Sequence, residues 1–510
     1  MWRTRERAVP LAVFLAALIL FLAAAPVSVS AAERRFIGDE PADDNCWTGD
    51  VATERETERM FIPELFSMTT GFVGGVAATS GAGLSVAGGL LAASGASKAL
   101  ADLSDHQKVP WKNWPHSRYL FWHYPPDKVL GVLPSTSAFT LAVLEFLANG
   151  AFSVTKMLVL VSINVIAYAF CSSEWVAQGA DWIASLVRDM FSFSSDQSFM
   201  RILLMLCIVG LAAALLKRIL KAQVASTVVA LGIAVVAVAS TFGYITYAGD
   251  VIRGLMSFTD GLSGLTLSTT SRFLMDQRYA DRFSTDLARG IASAGQAAWE
   301  AMVADPWAAA MFGTTNPENL RVTKPEWDAM NRGVFPDDVQ KELGNRVDNG
   351  TLYADTLFLG CGDDKSRDAV TEALGRPSKW KWSFLGLINV GETKVDHGRH
   401  PATEVTLMPS IPSVANHLIT ALLTLIPAFT FAALAFIVGG SMIVASCFLV
   451  LFFIFLPLGL VAAVVPDAGW SAASKYVHML LSMLAIKVFY GLYLGAVLAL
   501  GTGLVRGLLH

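Results

Sequence analysis

The run Val224–Ala248, VASTVVALGIAVVAVASTFGYITYA, contains no charged side chain along its whole length. About 20 apolar residues are enough for a helix to cross a bilayer, so this stretch reads as a membrane span. Just before it, Lys217, Arg218 and Lys221 crowd a short turn that holds no acid. Lys/Arg-rich short turns face the cytoplasm. On the other side of that turn, Arg201–Leu216 reads as a second span. Just after the run comes Gly249-Asp250, where charge returns and stays to Met408. A helical hairpin with a basic tip, followed by a long polar insert, fixes the class: an all-α polytopic membrane protein with an extracytoplasmic insert.

Composition agrees. The chain has 510 residues, 54% hydrophobic and 16% charged, with a mean hydropathy of +0.50. Soluble domains carry about 25% charged residues. The apolar runs are continuous rather than alternating, which selects helices over a barrel. A net charge of −4 gives no reason to expect nucleic-acid binding. The 5 cysteines are too few for a disulfide scaffold.

Residues 1–32 have the form of a signal peptide: Arg3, Arg5 and Arg7, an apolar run Leu11–Ala25, and small residues ending Ser30-Ala31-Ala32. An uncleaved first span is the alternative, and both start Glu33 outside the cytoplasm. Residues 33–68 are polar and expected outside. Residues 69–248 form a first membrane region of about four spans. Its Gly/Ala-rich beginning, 69–97, suits a helix packed against protein, or a re-entrant pair. The loop from Lys98 to Pro134 is basic and aromatic (Trp111, Trp114, Tyr119, Trp122), as an interfacial belt would be. Its His106, His116 and His123 fit no zinc spacing. After a lead-in containing Glu145, a span is expected over 152–170, with Lys156 near enough to an end to snorkel. Trp175, Trp182, Ile183, Leu186 and Phe191 then space as a helix lying on the membrane surface.

Residues 249–410 form the extracytoplasmic insert, expected to be mostly helical, with acids exceeding bases. One helix is expected over 272–303, ending near Asp305 because Pro306 restricts its predecessor. Thr351–Leu359 and Trp380–Val390 read as short β-like or buried runs. His397 and His400 lack a third ligand, and Gly360-Cys361-Gly362 reads as a turn. Cys46 and Cys361, both placed outside, are the preferred disulfide pair, with Cys171 as the rival partner. Residues 411–510 form a second membrane region of three spans, Ile411–Val438, Met442–Val465 and Tyr476–Val505. About seven spans then bring the C-terminus, with Arg506, into the cytoplasm.

Two groups of residues stand out. Lys487 falls inside the last span, with Gly491 and Gly495 on nearly the same side as a GxxxG pair. An ionisable group at that depth faces protein or water. It either lines a pathway or is neutralised by snorkelling or by Glu145. The second group is the segment Trp299…Pro306-Trp307…Phe312-Gly313. Its aromatics either fill the core of the insert or form the centre of an assembly interface.

The order of signal, Gly/Ala-rich segment, spans split by one external domain, and a closing group of spans resembles the TrbL-like inner-membrane subunit of conjugative type IV secretion machines. Signal-bearing actinobacterial forms are the nearest in kind. The Trp299, Pro306-Trp307 and Phe312-Gly313 segment looks like the "W…PW…FG" motif of that family's external domain, while the Gln/Ser-rich cytoplasmic tail of some relatives is missing. The resemblance implies a structural channel or scaffold in the cell membrane, with no cofactor and no enzymatic role. It also implies other membrane subunits and ATPases of the apparatus as partners, with possible homo-oligomers, and DNA–protein substrate met only indirectly. A secondary transporter or permease for a small solute is the alternative. Transporters usually carry repeated halves, and none is visible here. A membrane enzyme would need a recognisable catalytic or metal constellation, and the sequence offers none.

Overall fold

The computed structural model describes residues 102–103, 109, 116–122, 136–191, 199–271, 283–324, 327–328, 335, 337–362, 366–367, 370, 382–384, 388–390, 411–466 and 468–509. The expected signal, the segments 33–68 and 69–97, Cys46, His397 and His400 lie outside them. Among the described residues the chain is helical, apart from one antiparallel pair, β1 (Trp382–Phe384) and β2 (Ile388–Val390). Among the described residues, five helices are long and apolar enough to cross a membrane. They lie within α1 (Thr136–Gln178), α3 (Phe199–Leu220), α4 (Val224–Ser271), α9 (Ile411–Ala462) and α10 (Ala468–Leu509). The short α2 (Ala180–Phe191) follows α1. In the insert stand α5 (Asp286–Trp299), a π turn (Glu300–Ala304), α6 (Asp305–Phe312), α7 (Asp337–Asp348) and α8 (Ala354–Gly360).

Several boundaries differ from those the sequence suggests. Gly439-Gly440-Ser441 is not a turn: α9 runs unbroken through it for 52 residues, about 78 Å at 1.5 Å per residue. The reason is packing. A Cβ at Gly439 would come 2.7 Å from Val165 Cγ1, so the missing side chain lets α1 and α9 approach, and α9 continues. The boundary expected at Ala248 coincides with a kink in α4, which is not the end of the helix. It bends at Tyr247 and continues to Ser271, taking Asp250, Arg253 and Asp260 with it. The expected surface helix exists as α2, but its apolar stripe of Ile183, Ala184, Val187 and Phe191 packs on α4 rather than on lipid. Trp175 belongs to α1. In the run Thr351–Leu359, expected to be β-like or buried, the residues from Ala354 on belong to the helix α8, which is buried throughout.

The long helices form an interlocked bundle. Contacts of Val165 with Gly439 and of Ser172 with Ser446 make α1 and α9 parallel. Contacts of Asp260 with Lys487 and of Thr266 with Gly491 make α4 and α10 parallel to each other. Tyr244 bonds Phe453 while Val229, earlier on α4, shares a groove with Leu460, later on α9, so α4 runs antiparallel to α9. Pro457 inside α9 has no N–H, so the carbonyl four residues earlier, Phe453, loses its helical donor. Tyr244 Oη supplies one at 2.7 Å, and the Tyr476 hydroxyl caps the neighbouring Phe452 carbonyl. In a medium without water, those carbonyls need donors from within the protein. The outward faces are apolar, with Leu206 64%, Val209 66% and Ile437 67% exposed, as lipid-facing helices require.

The insert is packed against the bundle. Its α5 lies on α4, α1 and α10, and α6 meets α9. The closest approach is at Gly264 of α4, where a Cβ would come 2.6 Å from Leu287 N and 2.8 Å from Asp286 C. Those neighbours are backbone, held by the Thr285 side chain, which accepts from Ala288 N at the start of α5. Gly264→Ala is therefore expected to push α5 off α4 at a cost of about 1–3 kcal/mol. A lowered melting temperature in detergent would report it, and an unchanged one would refute the contact. The same packing places the C-terminal residues relative to the insert. Because α5 touches α10 and α10 runs parallel to α4, the insert and the C-terminal half of α10 share one end of the bundle.

Candidate functional site

Deep in the bundle α1, α4 and α10 each contribute one polar side chain to a single cluster. Lys487 of α10 donates to the Asp260 carboxylate of α4 and to the Ser173 hydroxyl of α1, and Ser173 in turn donates to Asp260. The ion pair is enclosed, with side-chain exposures of 8% for Lys487 and 18% for Asp260. A second polar contact joins α1 to α9 beside it, Ser172 Oγ to Ser446 Oγ at 2.7 Å. Thr259, Ser263 and Thr266 line the α4 side, each hydroxyl bonded back to a carbonyl of its own helix. Between them lies a cavity of about 10 Å³, lined by Ser173, Ser446, Lys487, Met256, Met442 and Met483. That is room for about one water.

Gly491 makes the cluster possible. One turn beyond Lys487, it abuts Thr266 and Phe170, and a Cβ there would fall 2.9 Å from Thr266 Oγ1. The small residue draws α10 onto α4 and α1, which brings the ammonium within reach of Asp260. Gly495 is buried a turn later on the same helix. Glu145 is not the partner of Lys487: it stands 28 residues before Ser173 on α1, about 42 Å along the helix axis. Snorkelling is excluded as well, since Lys487 turns inward. The partner, Asp260, is hard to single out in the sequence because it falls after Asp250, where charge returns. The signal was present in the apolar residues around it, Leu255, Met256, Phe258 and Leu262, which continue the helical pattern.

The aromatic segment stands at the other junction. Trp299, Trp307 and Phe312 are all 2% exposed or less, so these side chains are interior to the chain. Tyr119 is inserted edge-on between Trp299 and Trp307, at 5.5 and 5.4 Å. Phe312 packs edge-on against Trp307 and Phe358. Trp307 Nε1 donates to the Leu120 carbonyl at 2.9 Å, and the Trp122 N–H reaches Met311 Sδ at 3.3 Å. The segment 116–122 thus lies between the insert and α1. From the α1 side, Asn149 bonds both backbone groups of Phe121, at 2.8 and 2.9 Å. Lys156 is buried rather than snorkelling, and its ammonium donates to the His116 and Tyr119 carbonyls at 2.8 and 2.9 Å. Phe121 packs on Phe152 and stacks on His417 of α9.

Pro306 does not end the helix. The chain widens into a π turn, with the Asp305 N–H bonding the Glu300 carbonyl. Pro306 then occupies the first turn of α6, where its missing N–H costs nothing. The helix stops at Gly313 instead, in the left-handed region at φ 71. Cys361 caps α8 from within the insert's core, its thiol donating to the Leu357 carbonyl at 3.2 Å. Its proposed disulfide partner Cys46 is outside the described residues. Among the described residues no group of His, Cys, Asp and Glu is arranged to hold a metal ion.

Neither the scan of protein-family models nor the searches of curated proteins and of solved structures find a match for this chain.

Proposed function

We propose that this chain is a structural channel or scaffold subunit of a conjugative, type IV-like secretion apparatus in the cytoplasmic membrane. The supporting observation is the double anchorage of the insert. It is joined to the bundle at Gly264–Leu287 and again through Trp307, Tyr119 and Lys156. A domain so fixed moves with its spans, which suits a part that holds extracytoplasmic and membrane partners in one register. In this reading the partners are other membrane subunits and ATPases of the apparatus, further copies of the chain, and a DNA–protein substrate met only indirectly. The TrbL-like resemblance of the Trp299–Gly313 segment is the ground for naming the apparatus.

The orientation that goes with it puts Lys217–Lys221 in the cytoplasm, the insert outside, and the C-terminal half of α10 outside with the insert. The test is cysteine labelling of intact cells with an impermeant maleimide. Asp337→Cys, on an exposed face of α7, is expected to label, and Lys221→Cys to label only after permeabilisation. The reverse pattern overturns the orientation. Co-purification with a secretion ATPase tests the function itself.

The Lys487–Asp260 pair favours a second reading, a solute transporter, because buried ionisable residues in membrane helices mark ion and substrate pathways. Uptake of a solute that Asp260→Asn abolishes, with DNA transfer intact, would establish that reading and remove the first.

A further inference from the structure

At the end of the bundle where the α3–α4 and α9–α10 turns lie side by side, a groove opens between α4, α9 and α10. Its larger part encloses about 660 Å³ and the adjoining part about 430 Å³. Both are lined by Val229, Ile233, Ala463 and Trp470, so they form one continuous depression. The floor is apolar, running from Val229 past Ile233 and Val236 to Leu460. The mouth is different. Arg218, Ser226, Ser471 and Ser474 line it, and Arg218 is held across the first turn of α4 by donating Nη1 to the Ser226 carbonyl at 2.9 Å. Ser226 and Ser471 lie in the first turns of α4 and α10, so two long helices present their N-terminal ends to one volume. Helix N-terminal ends carry unsatisfied N–H groups and the positive end of the dipole, and favour anions. Lys217 and Lys221 stand exposed on the adjoining turn, and no carboxylate is among the described lining residues. Trp470, half exposed, stands at the rim as interfacial aromatics do.

We infer that this groove binds an anionic phospholipid, with the headgroup phosphate at the Arg218 mouth and an acyl chain along the Val229–Val236 floor. Charge complementarity selects the anion. The apolar floor, open to the lipid-facing side of α4 where Val228, Val229 and Val236 are exposed, selects a lipid over a free anion. Basic pockets between spans at headgroup level bind anionic lipids in this way. The inference does not depend on the secretion reading.

The test uses the full-length protein, reconstituted in vesicles of phosphatidylglycerol or of phosphatidylcholine, re-extracted, and examined by native mass spectrometry. Phosphatidylglycerol is expected to remain bound in preference to phosphatidylcholine. Arg218→Gln should reduce retention about fivefold, the loss of one basic residue near a headgroup, and Arg218→Lys should preserve most of it. Gly232→Trp should displace the lipid while leaving the basic mouth intact. A Cβ at Gly232 meets no heavy atom within 4 Å, so a side chain can leave the backbone there into the groove. Equal retention of the two lipids overturns the inference. So does displacement by inorganic phosphate with no effect of Gly232→Trp, which would mark an anion site only. Efficient cross-linking of Trp470→Cys between copies in vesicles would assign the groove to a second copy and overturn it equally.

Discussion

Asp260→Ala is expected to destabilise the protein by about 3–5 kcal/mol, the usual cost of removing one partner of a buried ion pair. The Lys487 ammonium, 8% exposed, would keep only the Ser173 hydroxyl, and a hydroxyl cannot neutralise a cation enclosed by helices. Much of that cost comes from the stranded charge rather than from lost attraction. It follows that the double variant Asp260→Leu/Lys487→Met should regain most of the loss, because well-packed apolar side chains replace a buried pair at little penalty. The measurement is membrane abundance together with thermal melting in detergent for the single and double variants. If Asp260→Ala melts with the parent, the enclosed pair is not a feature of the folded protein. If the double variant is as unstable as the single, the charges do more than balance each other. A double variant that is stable but inactive in transfer would give the pair a role beyond holding α1, α4 and α10 together.

How much of this was legible in the sequence depends on whether the signal was local. The hairpin around Lys217–Lys221 was, because absence of charge over a span and a basic tip are properties of neighbouring residues. Lys487 with Gly491 was legible in the same way, as a charge and a small residue one turn apart. Its partner was not, since pairing α4 with α10 is a tertiary fact, and Asp260 was counted with the charges of the insert. Gly439-Gly440 misled for a related reason. Two glycines read as a turn when only the backbone is considered, yet here Gly439 removes a side chain so that Val165 can approach. Lys156 shows the limit from the other side. Its place near the end of the expected span suggests a snorkelling lysine, and only the carbonyls of His116 and Tyr119, some 40 residues earlier, explain why it turns inward. Pro306 reads as a stop because a proline restricts its predecessor, and the π turn before it lets the helix pass.

Trp307→Ala is expected to cost about 3–5 kcal/mol and to reduce the amount of protein in the membrane sharply, as large-to-small changes in a packed core do. Trp307 is 1% exposed, packs edge-on against Tyr119 and Phe312, and donates its indole N–H to the Leu120 carbonyl. Removing it empties the space between the insert and segment 116–122 and frees that carbonyl. Trp307→Phe separates the two effects. It keeps most of the aromatic volume and loses the hydrogen bond, so about 1–3 kcal/mol is expected for a buried acceptor left unsatisfied. The order parent, Trp307→Phe, Trp307→Ala in melting temperature is the expected result. Because the same side chain joins the insert to the bundle, the alanine variant should also become more sensitive to protease around residues 116–122. If Trp307→Ala were as abundant and as stable as the parent but failed to co-purify with other envelope subunits, the indole would belong to an interface formed on assembly, and its burial inside one chain would not persist there. If it matched the parent in stability and partners alike, the segment would contribute neither to the core nor to assembly, and the secretion reading would lose the residues on which its resemblance rests.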